Sequence, residues 1–195
     1  AKFVDDEAAR LESMLGPSRA IAMRHWIASW PLVAVAKHAG LALLHGAPAA
    51  AIDSPADLEQ LDTCGGECTR QMMILNGLLW ARSASRGQAT RFLDALGDNL
   101  KVAVFGHDVV RGGHAIEDDL MLCISSSFGC YDGDKLYLDW DLSSLVNDAA
   151  HLADLGLRPL YPNAPLVYRE PPFVAPRVPD TTPPPACSYA SGSEA

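Results

Sequence analysis

Two histidines in the sequence stand where metal ligands are expected. His45 directly follows the apolar run 41–44, and His107 lies two residues after the apolar run 102–105, each with a glycine beside it. Ligand sites collect at the carboxyl ends of buried strands, and neutral imidazole is a ligand for zinc, iron or manganese. The adjacent glycine has no Cβ, so we expect it to let a metal ion or phosphate approach the backbone. One such histidine is more often an ordinary core or loop residue, but the repeated setting favours metal binding by both.

Arg86 is the candidate for binding a phosphate group. It precedes Gly87 in a predicted loop that leaves the apolar helix ending at Trp80. A guanidinium presents a rigid fork of N–H donors that matches two phosphate oxygens. The alternative is a solvated loop arginine, which is the usual environment of this residue type.

Alternating helices and strands must position these side chains. Helices are predicted over residues 5–15, 18–30 (with Ser18 as the N-cap), 53–61, 69–80 and 88–96. Strands are predicted over 32–35, 41–44, 101–105, 120–125 and 135–140. The first two of these runs are also compatible with a helix, because alanine and leucine are not strong strand formers. The interleaved order up to Phe105, followed mainly by strands, predicts a layered α/β domain, or α+β in some schemes.

Composition excludes some classes of function. The 195 residues include 24 acidic and 15 basic side chains, giving a formal charge of −9, and 49% of them are hydrophobic. Nucleic acids and anionic membranes bind basic faces, so neither is predicted as a partner. The apolar content supports one domain over 1–156. Ten of the 14 prolines follow Leu157, so 157–195 is predicted to be an extended tail with a disordered end.

The cysteines and the apolar segments indicate a compartment. The five cysteines are odd in number and contain no Cys-x-x-Cys pair, which argues against a disulfide framework or a zinc knuckle. The most apolar stretch, 21–44, contains four basic or titratable residues, so no transmembrane helix is predicted. The first residues are acidic where a signal peptide is basic. An intracellular protein is therefore predicted.

The order of the motifs resembles the calcineurin-like metallophosphoesterases, most closely their serine/threonine phosphoprotein phosphatase branch. In that family a Pro-Leu strand leads to a strand ending in His-Gly, followed by a Leu-Trp segment, an Arg-Gly loop and a Gly-His strand end. The corresponding segments here are Trp30-Pro31-Leu32, Gly40 to Gly46, Leu78-Leu79-Trp80, Ser85-Arg86-Gly87 and Val104 to His107. The resemblance covers residues 20–142, with 124–128 matching a serine-led loop and 135–141 the last core strand.

The resemblance implies a function and a site. His45 and His107 would be ligands of two divalent ions (manganese, iron or zinc), and Arg86 would hold the phosphate. The fold would be the C-terminal portion of a layered αββα sandwich, and the reaction hydrolysis of phosphate monoesters, including protein phosphoserine or phosphothreonine. Phe128 stands near the position of an active-site tyrosine. The family's Asp-x-His, Gly-Asp-x-x-Asp and Gly-Asn-His-Glu blocks do not occur here, so the other metal ligands would have to be supplied from outside this chain.

Two alternatives follow from the same residues. A phosphatase-derived module without catalysis could bind partners, with the proline-rich tail as an extended docking segment. A thiol enzyme could use Cys68 as nucleophile, with His114 and Asp139 following in the order of a triad. Asp108 and Asp118 are interpreted as ordinary loop residues. Trp26 and Trp30, four residues apart on a predicted helix, are interpreted as core residues.

Overall fold

The structure is a computed structural model that describes residues 7–59, 61, 69–124 and 134–161. The described helices are α1 (Glu7–Leu15), α2 (Pro17–Ala28), α3 (Ala56–Glu59), α4 (Thr69–Trp80), α5 (Arg86–Leu96) and α6 (Ala149–Gly156). The described strands are β1 (Val33–Ala36), β2 (Leu41–Leu44), β3 (Val102–Phe105), β4 (His114–Glu117), β5 (Met121–Ile124), β6 (Leu136–Leu138) and β7 (Leu157–Pro159). The predicted mixture of helices and strands is thereby confirmed.

Five strands form one mixed sheet in the order β1-β2-β3-β5-β4. The three central strands, β2, β3 and β5, are parallel to one another. The two edge strands are antiparallel to their neighbours, β1 to β2 and β4 to β5. Strands β6 and β7 form a separate antiparallel pair. The apolar runs 32–35 and 41–44 are therefore strands joined by a turn, as the first of the two interpretations predicted.

Side chains alternate between the two faces of the central strands, and each face has its own core. Val102 and Val104 pack on one face with residues of α6, including Leu152. On the other face, Ala103 packs with residues of α4 and α5, including Phe92. The period of two along a strand produces this division. Strands β3 and β5 are largely buried on both faces, which explains their continuous apolar sequences.

The start of α5 corrects one prediction. Ser85 caps the helix: its Oγ accepts a hydrogen bond from the Gln88 N–H at 3.3 Å, and the Gln88 side chain accepts one from the Ser85 N–H at 2.9 Å. This capping box satisfies backbone donors at the first turn and extends the helix toward its N-terminus. Arg86 and Gly87 consequently belong to the first turn of α5, so the loop predicted there is wrong.

Helix α2 and the residues after it show that two further predictions are wrong. It begins at Pro17 after Gly16, and no side chain caps it, so Ser18 is not the N-cap. Trp26 and Trp30 are not core residues, because 58% and 54% of their surfaces are exposed. Apart from Ala20, no residue of α2 is buried, since its apolar residues are spread around the helix instead of forming one face. The two indole rings pack edge to face with each other, their centroids 4.6 Å apart.

Three elements were not anticipated. Strand β4 pairs with β5 at the sheet edge, and α6 is capped by Asp148, whose carboxylate accepts a hydrogen bond from the His151 N–H at 2.7 Å. Strand β7 falls inside the predicted tail 157–195 but pairs with β6. The rest of that tail, 162–195, lies outside the described residues. Within the described ranges, no helix combines the length and apolar character needed to cross a membrane.

Candidate functional site

His45 and His107 lie together at the carboxyl edge of the parallel strands. Strands β2 and β3 are neighbours, and Leu43 is in register with Val104, so the two strands end at the same level. The backbone pairing continues past the strands, because the N–H of Gly106 donates to the carbonyl of His45 at 3.1 Å. The Nε2 atom of His45 and the Nδ1 atom of His107 are 2.9 Å apart. Two histidines 62 positions apart in the sequence therefore form one pair.

Trp80, the last residue of α4, packs on this pair. Its ring centroid lies 5.7 Å from that of His107, edge to face at 89°, while the two imidazole centroids are 4.8 Å apart at 65°. The Nε2 atom of His107 is buried and makes no hydrogen bond within the described part of the chain. His107 is half-buried and His45 is exposed. The pair is consequently accessible from solvent through His45.

The glycine beside each histidine serves the packing of the protein itself. A Cβ on Gly46 would lie 2.7 Å from the carbonyl oxygen of Leu78, and one on Gly106 would lie 3.1 Å from that of Ile124. The N–H of Gly46 donates to that same Leu78 carbonyl at 2.7 Å. The space that each Cβ would take is therefore filled by a carbonyl group. The expectation that it admits a metal ion or a phosphate is wrong.

Arg82, in the loop that follows α4, is a cation that was not predicted at this site. The N–H of Ala47 donates to the carbonyl of Ala81 at 2.8 Å, which anchors the residue before Arg82. A terminal nitrogen of Arg82 lies 3.3 Å from Oδ1 of Asp108, the residue after His107. The same oxygen accepts a hydrogen bond from the backbone N–H of Val109 at 2.9 Å. Asp108, predicted to be an ordinary loop residue, is thus the ion-pair partner of Arg82.

Arg86 makes its ion-pair contact away from the two histidines. A terminal nitrogen of Arg86 is 3.4 Å from the carboxylate of Asp119, which precedes β5. Met121, the first residue of β5, is in register with Ala103 near the start of β3. Asp119 therefore lies at the amino edge of the parallel strands, opposite the edge that carries the histidines. The structure does not bring Arg86 into contact with the pair, and its phosphate-binding role stays a prediction.

The surroundings of His107 favour its neutral form. Burial has the largest effect and lowers the pKa of His107 below its ordinary value of 6.5. The nearby charges of His45 and Arg82 lower that pKa further, whereas Asp108 opposes them. A neutral imidazole keeps a lone pair available for a metal ion at neutral pH.

The distance between the two nitrogens fits a shared metal ion. Two nitrogen ligands at about 2.0–2.1 Å from one ion lie about 2.8–3.4 Å apart in octahedral or tetrahedral geometry. The 2.9 Å separation of His45 Nε2 and His107 Nδ1 falls at the lower end of this range. Over residues 7–59, 61, 69–124 and 134–161, however, no group of three or more histidine, cysteine, aspartate or glutamate side chains could hold a metal ion. The described residues bring together two nitrogen atoms, His45 Nε2 and His107 Nδ1.

An apolar groove adjoins the exposed histidine. It has a volume of about 480 Å³ and includes Trp30, Leu43, Leu79 and His45 in its wall. Leu43 is 38% exposed although it belongs to a central strand, so the face of the sheet is uncovered at this end. The groove gives His45 an apolar flank.

Of the three residues of the thiol alternative, the structure describes His114 and Asp139. Cys68 lies outside the described residues, as do Cys64, Cys130, Cys187 and Phe128. Cys123, which is described, is a buried cysteine in β5. His114 lies in the edge strand β4, and the backbone N–H of Asp139 donates to Gly156 at 2.8 Å. The thiol enzyme stays a prediction.

Arg82 is the site residue that sequence reasoning missed. Its position two residues after Trp80, inside the segment between the Leu-Trp and Arg-Gly motifs, was the available signal. Comparison of the chain with protein-family models, with curated proteins and with solved structures gave no match.

Proposed function

We propose that this chain forms part of a metal-dependent phosphoesterase that hydrolyses phosphate monoesters, including phosphoserine or phosphothreonine in proteins. The observation that carries the proposal is the 2.9 Å separation of His45 Nε2 and His107 Nδ1. Both nitrogens lie at the carboxyl edge of parallel strands, where ligand sites of α/β sheets are found. The mixed sheet with helices on both faces is compatible with the α/β class, and we propose that it is the C-terminal portion of a layered αββα sandwich.

The two histidines would hold a divalent ion of manganese, iron or zinc. When bound, such an ion supplies a hydroxide at neutral pH and offsets charge on the phosphoryl oxygens. His45 would use Nε2 and His107 would use Nδ1, the two atoms that now share a hydrogen bond. A two-metal site needs carboxylate donors as well, and these would come from groups beyond the described residues.

The protein contributes rigidity to this proposed site. The hydrogen bond from Gly106 to His45 joins the two strand ends, so the imidazoles are held by paired backbone. Trp80 packs against His107, and burial keeps that imidazole neutral. Preorganised ligands of this kind lose little freedom when an ion binds. The predicted phosphate ligand, Arg86, would act here only if its side chain left Asp119.

Metal binding and turnover by the same preparation test the proposal. We expect the full chain to bind Mn²⁺, Fe²⁺ or Zn²⁺ in calorimetric titrations and to hydrolyse 4-nitrophenyl phosphate with the metal present. His107→Ala should lose both properties. His25→Ala, which removes an exposed histidine from α2, is the matched control and should keep both. Binding that is unchanged in His107→Ala would show that the ion lies elsewhere.

A module without catalysis is the second candidate. It is favoured by the finding that no three donor side chains come together in the described part of the chain. Under this hypothesis the longest natural form of the protein binds no divalent metal and hydrolyses no phosphate ester. Stoichiometric metal with turnover in that form would exclude it.

A further inference from the structure

We propose that Arg82 binds the phosphate group of the substrate at the histidine pair, exchanging its contact with Asp108 for the phosphate oxygens. The inference rests on the proposed function for the class of its ligand, a phosphate monoester or inorganic phosphate. It differs from the sequence-based prediction, which assigned the phosphate to Arg86.

The backbone holds Arg82 at the correct edge of the sheet. Ala81, the preceding residue, accepts a hydrogen bond from Ala47, which lies two residues after His45. Trp80, one residue earlier, packs against His107. Both contacts connect the start of this loop to the two strand ends that carry the histidines. Arg82 therefore extends from a segment anchored on both sides of the pair.

The contact between Arg82 and Asp108 is of a kind that an anion can replace. A terminal nitrogen of Arg82 lies 3.3 Å from Oδ1 of Asp108, which is long for a charge-assisted hydrogen bond. Oδ1 of Asp108 also accepts the Val109 N–H, so the carboxylate keeps a partner when the guanidinium turns away. The Arg82 side chain is 62% exposed, and a solute can reach it.

The guanidinium of Arg82 is close enough to the histidine pair to affect it electrostatically. Arg82 is one of the groups whose charge lowers the pKa of His107, together with His45 and against Asp108. A phosphate dianion bound to the planar fork of Arg82 would accept two parallel hydrogen bonds. The chain has a net charge of −9, so a local cation is needed to attract an anionic substrate to this edge. Arg86 instead contacts Asp119, at the opposite edge of the parallel strands.

Binding of inorganic phosphate to the full chain tests the assignment. Isothermal titration calorimetry would be run with and without Mn²⁺ on the wild type, Arg82→Ala, Arg82→Gln, Arg86→Ala and Arg91→Ala. We expect both Arg82 variants to weaken phosphate binding about tenfold or more, as for loss of a charged hydrogen-bond donor. Arg91→Ala removes an exposed arginine from α5 and should bind like the wild type. Circular dichroism shows which variants are folded. If Arg82→Ala does not fold, Arg82→Gln provides the test.

A change in Asp108 separates phosphate binding from a structural role of Arg82. Asp108→Asn removes the competing negative charge, so phosphate should bind as tightly as in the wild type or more tightly. If Asp108→Asn weakens binding as much as Arg82→Ala, the pair is structural and the proposal fails. It fails equally if the wild type binds no phosphate, or if only Arg86→Ala loses it.

The outcomes distinguish this inference from the proposed function. Mn²⁺ titrations of the same samples should show metal binding retained in Arg82→Ala and lost in His107→Ala. If the protein binds metal and hydrolyses the substrate but its phosphate affinity does not change in the Arg82 variants, the inference fails and the proposed function stands. Arg82-dependent phosphate binding in a protein that holds no metal would overturn the proposed function and leave the anion site.

Discussion

The Nε2 atom of His45 lies 2.9 Å from the Nδ1 atom of His107, across the ends of two neighbouring parallel strands. This pairing depends on the crossover between β2 and β3, which contains α3, α4 and α5. Parallel neighbours end at the same edge of a sheet, so residues that follow them meet. The same crossover brings the end of α4, with Trp80 and Arg82, onto that edge.

Removing either histidine is expected to weaken Mn²⁺ binding as much as removing both. Two ligands of one ion act as a unit, so His45→Ala, His107→Ala and the double variant should each bind at least about tenfold more weakly than the wild type. Calorimetric titration measures the affinities, with His25→Ala as the control. Losses that add in the double variant would mean that the two histidines hold separate ions.

The stability of the folded chain should fall below about pH 6.5 because of His107. Its pKa is lowered in the folded state, chiefly by burial, relative to the ordinary value of 6.5. Between the lowered pKa and 6.5 the unfolded chain binds a proton that the folded chain does not, so the free energy of unfolding decreases as pH drops. Urea unfolding at a series of pH values checks this. His107→Gln should flatten the dependence; an unchanged slope would assign it to another group.

Gly46→Ala should destabilise the fold by about 1–3 kcal/mol, because the new Cβ would overpack the site. It would lie 2.7 Å from the Leu78 carbonyl, a backbone atom that cannot turn away. Gly87→Ala is the matched control, since a Cβ there meets nothing within 4 Å. Alanine at this helical position should be neutral or stabilising by up to about 1 kcal/mol. Urea unfolding measures both, and equal stabilities would contradict the close approach at Gly46.

Ser85→Ala should cost about 1 kcal/mol, the usual effect of losing a helix N-cap. The side chain of Ser85 accepts the N–H of Gln88, and alanine cannot. Ser18→Ala should change the unfolding free energy little, because Ser18 does not cap α2. Thermal unfolding compares the two. If Ser18→Ala lowered the free energy of unfolding more than Ser85→Ala does, Ser18 would be a helix cap after all.

Much of the sheet could be predicted because its strands are short apolar runs between turn residues. The run 102–105 is buried on both faces, and its continuous apolar sequence predicts this directly. Strand β4, His114–Glu117, was missed because it lies at the edge, has no fully buried residue and has a polar residue at each end. Trp26 and Trp30 were misassigned because large apolar residues predict burial only when another element covers them.

The sequence by itself determined that His45 and His107 follow apolar strands, and local periodicity and turn residues were enough to show it. Only the tertiary structure decided that β2 and β3 are parallel neighbours, which brings the two imidazoles to 2.9 Å. It also decided which arginine accompanies them. Local sequence favoured Arg86, but the capping box at Ser85 puts Arg86 at the start of α5, where it contacts Asp119. The hydrogen bond between Ala47 and Ala81 instead brings Arg82 to the pair. Contacts between residues far apart in sequence depend on strand order and loop anchoring, which no local pattern encodes.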